Sequence, residues 1–343
     1  MYSFYKNQKS APVIVAELSG NHDGSLERAI ALMDLAHKSG AHAVKIQTYT
    51  EDSLTLNCDR PEFKIKTGLW KGQTLYELYK KAKTPREWMQ ALFSHAREKG
   101  ILLFSSPFSP ADVEALEDAG CPAYKIASFE LNYPELISLC ASTKKSLIIS
   151  TGSGTLQEID AAVDNALRSG CNELTLLHCE SQYPCDPTQF NLRTIPFYQK
   201  RYGCHAGLSD HSLTDTADIA ATALGAEMIE KHFTDVRAKG GVDSAFSMEP
   251  DDLRALVEKP ATAAAALGIE DQVLRPDEIA VRTERRSVYL VRSMKKGRAL
   301  RREDVRIVRP GLGLSPFELT SVLGRVALKD LTAPMPLKKE DFV

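Results

Sequence analysis

Along its first two-thirds the chain alternates two patterns of apolar and polar positions. Short runs rich in β-branched and other apolar side chains are each followed by a polar loop and a stretch with apolar positions every three or four residues. The short runs predict strands at Val13–Glu17, Ala43–Gln47, Leu102–Ser105, Ala123–Ala127, Leu147–Ser150, Leu174–His178, His205–Leu208 and Met228–His232. The helical period fills stretches such as Ser25–Ser39, Pro85–Lys99, Thr155–Ser169, Thr214–Leu224 and Pro250–Leu267. Gly40, Gly100, Gly120, Gly170 and Gly225 stand where a helix hands back to the next strand, a place that favours the left-handed conformation. Apolar runs of this kind read as parallel strands covered on both faces. Eight such units predict an α/β protein, a (β/α)₈ TIM barrel over residues 1–270. A charged run at 271–284, with Pro276, reads as a linker. Beyond it, Ser287–Val291, Ala299–Val305, Pro310–Pro316 and Ala333–Val343 predict the short strands and turns of a small domain, 285–343.

Composition narrows the function classes. The 343 residues are 43% hydrophobic and 26% charged, the balance of a globular protein in water. A net charge of −2, with Lys and Arg dispersed, gives no electrostatic footprint for nucleic acid or an anionic membrane. No apolar run approaches the roughly 18–20 residues that span a bilayer, and Met1–Lys9 lacks a signal-peptide core. Seven cysteines without a CxxC pair suit a reducing cytoplasm. Cys121, Cys140 and Cys171 read as small apolar residues, and Cys179 as core with no activating partner.

In a barrel of this kind the chemistry lies at the C-terminal ends of the strands. Those ends carry Glu17, Asn21 and His22; Lys45 and Gln47; Ser105 and Ser106; Lys125, Ser128 and Glu130; Ser150, Thr151 and Gly152. Later strands add His178, Ser181 and Tyr183; Ser209, Asp210 and His211; and Glu230, Lys231 and His232. Lys45 and Lys125 with Ser106, Ser128, Ser150 and Ser209 suit a phosphate, which ammonium groups neutralise and hydroxyls hydrogen-bond. Taken singly, each serine serves equally well as a helix cap. His211 and His232 end neighbouring strands; beside Glu17 and water they suit an open divalent site for Mn²⁺, Co²⁺, Fe²⁺ or Zn²⁺. The alternative is that each ring simply bonds local backbone.

The segments AELSGNH (Ala16–His22), VKIQTYT (Val44–Thr50), FSSPFS (Phe104–Ser109), YKIASFE (Tyr124–Glu130), STG (Ser150–Gly152), GLSDHS (Gly207–Ser212) and EKHF (Glu230–Phe233) occur in this order. Together they resemble the sialic acid synthase family. The tail motifs RRSVYLV (Arg285–Val291) and VRPGLGLSP (Val308–Pro316) resemble the antifreeze-like SAF domain, a β-clip fold, that closes those enzymes. The insert after the second strand, Asp52–Pro85, resembles the branch whose sugar is 2,4-diacetamido-2,4,6-trideoxy-altrose. The N-acetylneuraminic and legionaminic branches share the same core chemistry.

The resemblance implies a transferase that joins phosphoenolpyruvate to an amino-sugar aldehyde. It implies a divalent ion (Mn²⁺, Co²⁺ or Mg²⁺) on His211 and His232. Lys45, Lys125, Ser106, Ser128, Ser150 and Ser209 would bind phosphoenolpyruvate, with Glu17, Glu130 and Glu230 catalytic. Tyr183, Asp243, Gln47 and Arg286 would face the sugar, Arg286 from the SAF domain of the partner in a domain-swapped homodimer. Ser181 departs from the family, which usually carries Asn there. A Schiff-base aldolase using Lys125 or Lys45 is the rival chemistry, and a sugar- or ice-binding module the non-enzymatic one.

Overall fold

The computed structural model describes residues 2–6 and 11–343; residues 1 and 7–10, part of the polar N-terminal stretch included, lie outside the described residues. The chain divides into two compact units, Met1–Gly268 and Ile269–Val343.

The first unit is a closed barrel of eight parallel strands: β1 Val13–Glu17, β2 Ala43–Thr48, β3 Leu103–Pro107, β4 Ala123–Ile126, β5 Ser146–Ser150, β6 Leu174–Cys179, β7 His205–Asp210 and β8 Met228–His232. Each strand pairs with the next, and β8 closes on β1 in the register Val13–Met228 to Glu17–His232. Four strands outrun their apolar patterns at the C-terminal end: β2 to Thr48, β3 to Pro107, β6 to Cys179 and β7 to Asp210. Ladder hydrogen bonds continue there across polar side chains, which apolar periodicity does not register. The polar mouth is thus built on strand rather than on loop.

Helices ring the barrel. Leu26–Lys38 is capped by the Ser25 hydroxyl, and Leu156–Arg168 begins with a reciprocal Thr155–Glu158 capping box. The helix expected from Pro85 is α-helical only over Met89–Lys99, after a 3₁₀ turn at Arg86–Trp88. The five glycines at the expected helix ends all lie at positive φ. Among the described residues no helix is long and apolar enough to cross a membrane.

Residues 52–85, between β2 and the Met89–Lys99 helix, carry a second layer of structure over the barrel mouth. A short helix Glu51–Leu54 and a longer one Leu75–Ala82, capped by Thr74 and Glu77, are its regular parts. The base is closed by a Thr48–Thr84 bridge and a Lys83–Glu51 ion pair at 2.7 Å. Leu78 and Ala82 pack on Val242 from the loop after β8, with Ile65 and Trp70 against them.

The second unit has its own core, including Val288, Leu290, Val305, Val322 and Leu337. Its sheet is antiparallel, with β9 Ser287–Leu290 between β10 Val305–Val308 and β11 Met335–Pro336. Ala299–Val305, one of the stretches of short strands and turns, holds an isolated bridge at Ala299 and a 3₁₀ turn at Arg302–Asp304, and β10 begins at Val305. Buried Asp304 holds this turn: it accepts from the Arg301 amide at 3.0 Å and from the Arg298 guanidinium at 2.9 and 3.1 Å. Within 271–284 lie a short helix, Pro276–Ala280, and a 3₁₀ turn, Val281–Glu284.

Candidate active site

The strand register gathers the charged groups. Glu17 stands level with Lys45 on β2 and with His232 on β8, and Ser209 stands level with Glu230. Lys45 forms an ion pair with Glu17, and its ammonium lies 3.4 Å from Glu230 Oε1 and 3.4 Å from Ser106 Oγ. Lys125 approaches the same Glu230 oxygen at 3.6 Å, and Ser209 Oγ donates to it at 3.3 Å. All these side chains are buried.

Two carboxylates thus share two ammonium groups unequally. Burial raises the pKa of Glu17, a rise that Lys45 opposes and Glu230 reinforces. Burial acts on Glu230 in the same sense, but Lys125 and Lys45, with His211, pull it below its ordinary value. Burial lowers Lys125, while Glu17 and Glu230 outweigh burial at Lys45 and raise it. Glu17 is therefore the carboxylate that takes a proton more readily, and a cluster with Glu17 protonated carries net positive charge.

Hydroxyls surround this charge. Ser150 Oγ is buried without a hydrogen-bond partner, whereas Ser128 Oγ accepts from the Gly152 amide at 3.1 Å. A Cβ on Gly152 would overlap the hydroxyls of Ser128 and Ser181, so this backbone lies directly against both.

His211 and His232 meet as expected, their ring centroids 5.3 Å apart. His211 Nδ1 lies 3.1 Å from the Glu180 carbonyl, so it carries the proton in that bond and leaves Nε2 for a ligand. His232 Nδ1 is buried without a hydrogen-bond partner. Burial, then His211, Lys45 and Lys125, hold the His232 pKa well below its ordinary value, so the ring stays neutral with a lone pair to give. Burial opposes it, but Cys179 and the Glu180 carbonyl raise the His211 pKa, so that ring gives a lone pair once its extra proton leaves, and the two imidazoles then fit a borderline divalent ion. The three-donor set with Glu17 does not form: Glu17 is held by Lys45 and by the Ser19 amide at 2.7 Å. Among the described residues no group of three or more His, Cys, Asp or Glu side chains is placed to hold a metal. The remaining positions would fall to substrate or water oxygens.

Cys179 is buried, as expected, but it does not lack a partner. Its sulfur lies 3.8 Å from His211 Nδ1 and 3.7 Å from Ser181 Oγ. Burial disfavours its thiolate, yet His211 and the neighbouring hydroxyls bring the thiol pKa down.

Above the cluster opens a cavity of about 540 Å³, bounded by Gln47, Glu130, Tyr183, His232 and Asp243 among others. Tyr183 lies over His211 with ring centroids 4.2 Å apart. Asp243 accepts from the Ser19 hydroxyl and from the Gly20 amide at 3.3 Å, and Gln47 Nε2 donates to Ser19 Oγ at 3.2 Å. Burial pushes Glu130 up to about 7, against the pull of Lys125. Ser19 and the aromatic lining residues Tyr49, Trp70 and Phe129 were not expected from the sequence. Ser19 lies past the end of β1 in a turn, with φ of 48°, where strand alternation gives no signal of which face it joins.

Other strand-end residues do structural work. Lys231 is taken up by Asp210, by Asp218 at 3.2 Å and by the Thr214 carbonyl at 2.8 Å. His22 bonds Thr84 and the Gly24 amide, and His178 the Phe190 carbonyl. Asn21 donates to the Phe233 carbonyl at 2.9 Å. Arg286 belongs to the second unit, is exposed, and donates to the Ile307 carbonyl at 3.3 Å.

Buried ammonium groups, hydroxyls with bonds to spare and a pair of imidazoles on one barrel mouth suit a small anionic substrate bearing phosphate or carboxylate. This defines the class as a (β/α)₈-barrel enzyme with its site at the C-terminal ends of the strands. The chain belongs to the NeuB family, whose model matches residues 32–272, and its second unit is a SAF domain, matched over 285–343. It is 44% identical over 331 residues to a pseudaminic acid synthase of Campylobacter jejuni, covering 96% of each chain. It is 33% identical over 326 residues to an N,N'-diacetyllegionaminic acid synthase of Legionella pneumophila, covering 93% of this chain and 91% of that one. Among solved structures, the spore coat polysaccharide biosynthesis protein spsE of Bacillus subtilis matches with TM-score 0.66 at 30% identity, over 98% of both chains.

Proposed function

We propose that this enzyme condenses phosphoenolpyruvate with 2,4-diacetamido-2,4,6-trideoxy-altrose to give pseudaminic acid and phosphate. The observation that carries the reading is the near full-length likeness to the Campylobacter jejuni enzyme, well above that to the legionaminic acid synthase. The buried cluster supplies the chemistry the reading needs.

Lys45 and Lys125 would bind the phosphate and carboxylate of phosphoenolpyruvate, with hydrogen bonds from Ser106, Ser128, Ser150 and Ser209. Gln47, Tyr183 and Asp243 would orient the sugar over them. Carbon 3 of phosphoenolpyruvate then attacks the aldehyde carbon, forming the new C–C bond and leaving a positive centre at carbon 2. Water adds to that centre and gives up a proton, and the tetrahedral adduct expels phosphate by C–O cleavage. The sugar oxygen that gains charge takes a proton. Glu17, whose pKa burial raises, would move protons here, with Glu130 and Glu230 assisting. His211 and His232 would hold a divalent ion, Mn²⁺, Co²⁺ or Mg²⁺, which when bound polarises the aldehyde oxygen. By the resemblance set out above, Arg286 would reach the sugar of a second copy of the chain in a homodimer.

The test is product analysis with phosphoenolpyruvate and three aldoses: the altrose derivative, the legionaminic precursor and N-acetylmannosamine. The altrose derivative should give the highest kcat/KM, and EDTA should stop turnover until Mn²⁺ or Co²⁺ is returned. A higher kcat/KM with either other sugar overturns the substrate, and full activity in a demonstrably metal-free protein overturns the ion.

A further inference from the structure

The cavity above the lysines has two unlike kinds of lining. Ser19, Gln47, Glu130 and Asp243 give it hydrogen-bonding groups. Residues 52–85 contribute Leu54, Ile65, Trp70 and Leu75 to the same lining. All four are large, apolar and only partly buried. The one polar atom among their side chains, the Trp70 indole N–H, is already spent on the Val242 carbonyl at 2.9 Å. Those four side chains can therefore offer a ligand contact but no hydrogen bond, and the hydroxyl on this segment that lines the cavity is that of Tyr79.

The wall is also fixed in place. Its base is clamped by the Lys83–Glu51 pair and the Thr48–Thr84 bridge, and its helix Leu75–Ala82 is seated through Leu78 and Ala82 on Val242. The seat is close: a Cβ on Gly20 would come within 3.1 Å of Ala82 Cβ and 3.2 Å of Val242 Cβ. A clamped apolar wall selects by what it leaves unpaired. A methyl group laid on it loses only water, whereas a hydroxyl in the same place loses its hydrogen bonds and finds no replacement.

We infer that Leu54, Ile65, Trp70 and Leu75 form a methyl-reading wall that sets the enzyme's preference for a 6-deoxy, N-acylated sugar over one carrying a hydroxyl at carbon 6. The inference rests on the substrate class proposed above and adds the residues that choose within it. An apolar pocket rejects an added hydroxyl by about 10²-fold in kcat/KM.

The experiment compares kcat/KM for 2,4-diacetamido-2,4,6-trideoxy-altrose, its 6-hydroxy counterpart and N-acetylmannosamine. Wild type is set beside Ile65→Thr, Leu75→Thr and a control, Leu56→Thr, whose side chain is exposed on the same segment and does not line the cavity. Each threonine in the wall offers a hydroxyl partner. Wild type should favour the deoxy sugar over its 6-hydroxy counterpart by about 10²-fold, and either wall variant should shrink that ratio about tenfold. The KM for phosphoenolpyruvate should not move, and Leu56→Thr should behave as wild type. Circular dichroism identifies a variant that fails to fold, and the other then carries the measurement. A deoxy preference that persists unchanged in the wall variants overturns the inference and leaves the substrate class standing. A wild type that prefers N-acetylmannosamine overturns the substrate class and the inference with it.

Discussion

Glu130 is held near the cavity with Oε2 buried and without a hydrogen-bond partner, and burial lifts its pKa from about 4.5 to about 7. The consequence for stability has a definite sign. Below about pH 4.5 the group is protonated in folded and unfolded chains alike. Between there and about 7 the folded protein keeps a proton that the unfolded chain releases, so stability falls as pH rises through that window. The loss amounts to as much as about 3 kcal/mol. Glu130→Gln should remove this slope, so the drop in Tm from pH 5 to pH 8 should be smaller than in wild type. Equal drops would contradict the assignment. Much of the site was legible at this scale, because Glu17, Lys45, Lys125, His211 and His232 sit at strand ends where the barrel places its chemistry. What could not be read was the pairing. Glu17 turns to Lys45 rather than to the imidazoles, Ser19 bonds Asp243, and Cys179 meets His211. Such contacts join residues far apart in sequence, and no local pattern encodes them.

At the scale of elements, the strand–helix alternation was plain because each strand is apolar enough to be buried on both faces. The polar continuations of β2, β3, β6 and β7 were missed for the same reason, and they are what carry the mouth. The segment 52–85 was read only as an insert, although Thr74-Leu75-Tyr76-Glu77 carries the capping-box spacing that starts its longer helix. Close strand contact also fixes one residue the alternation does not explain. A Cβ on Gly207 of β7 would run into the Met228 carbonyl of β8 and come within 3.0 Å of Leu177 Cδ2. Gly207→Ala should force β7 away from β8, the strands that end at His211 and His232, and cost about 2–4 kcal/mol. Denaturant titration should show a lowered midpoint, with activity falling in parallel. An unchanged midpoint would mean the strands tolerate the extra carbon.

For the whole molecule, a NeuB-family barrel followed by a SAF domain was legible from motif order along nearly the entire chain, and the family and domain matches bear it out. The central claim is chemical: the barrel mouth joins phosphoenolpyruvate to an aldehyde sugar and breaks the C–O bond of the phosphate ester. Phosphoenolpyruvate labelled with ¹⁸O in its bridging oxygen tests this directly when turned over with 2,4-diacetamido-2,4,6-trideoxy-altrose. The account predicts one equivalent of phosphate per nine-carbon acid, with the heavy oxygen in the phosphate. Label retained in the sugar acid, or sugar acid formed without phosphate, would contradict it.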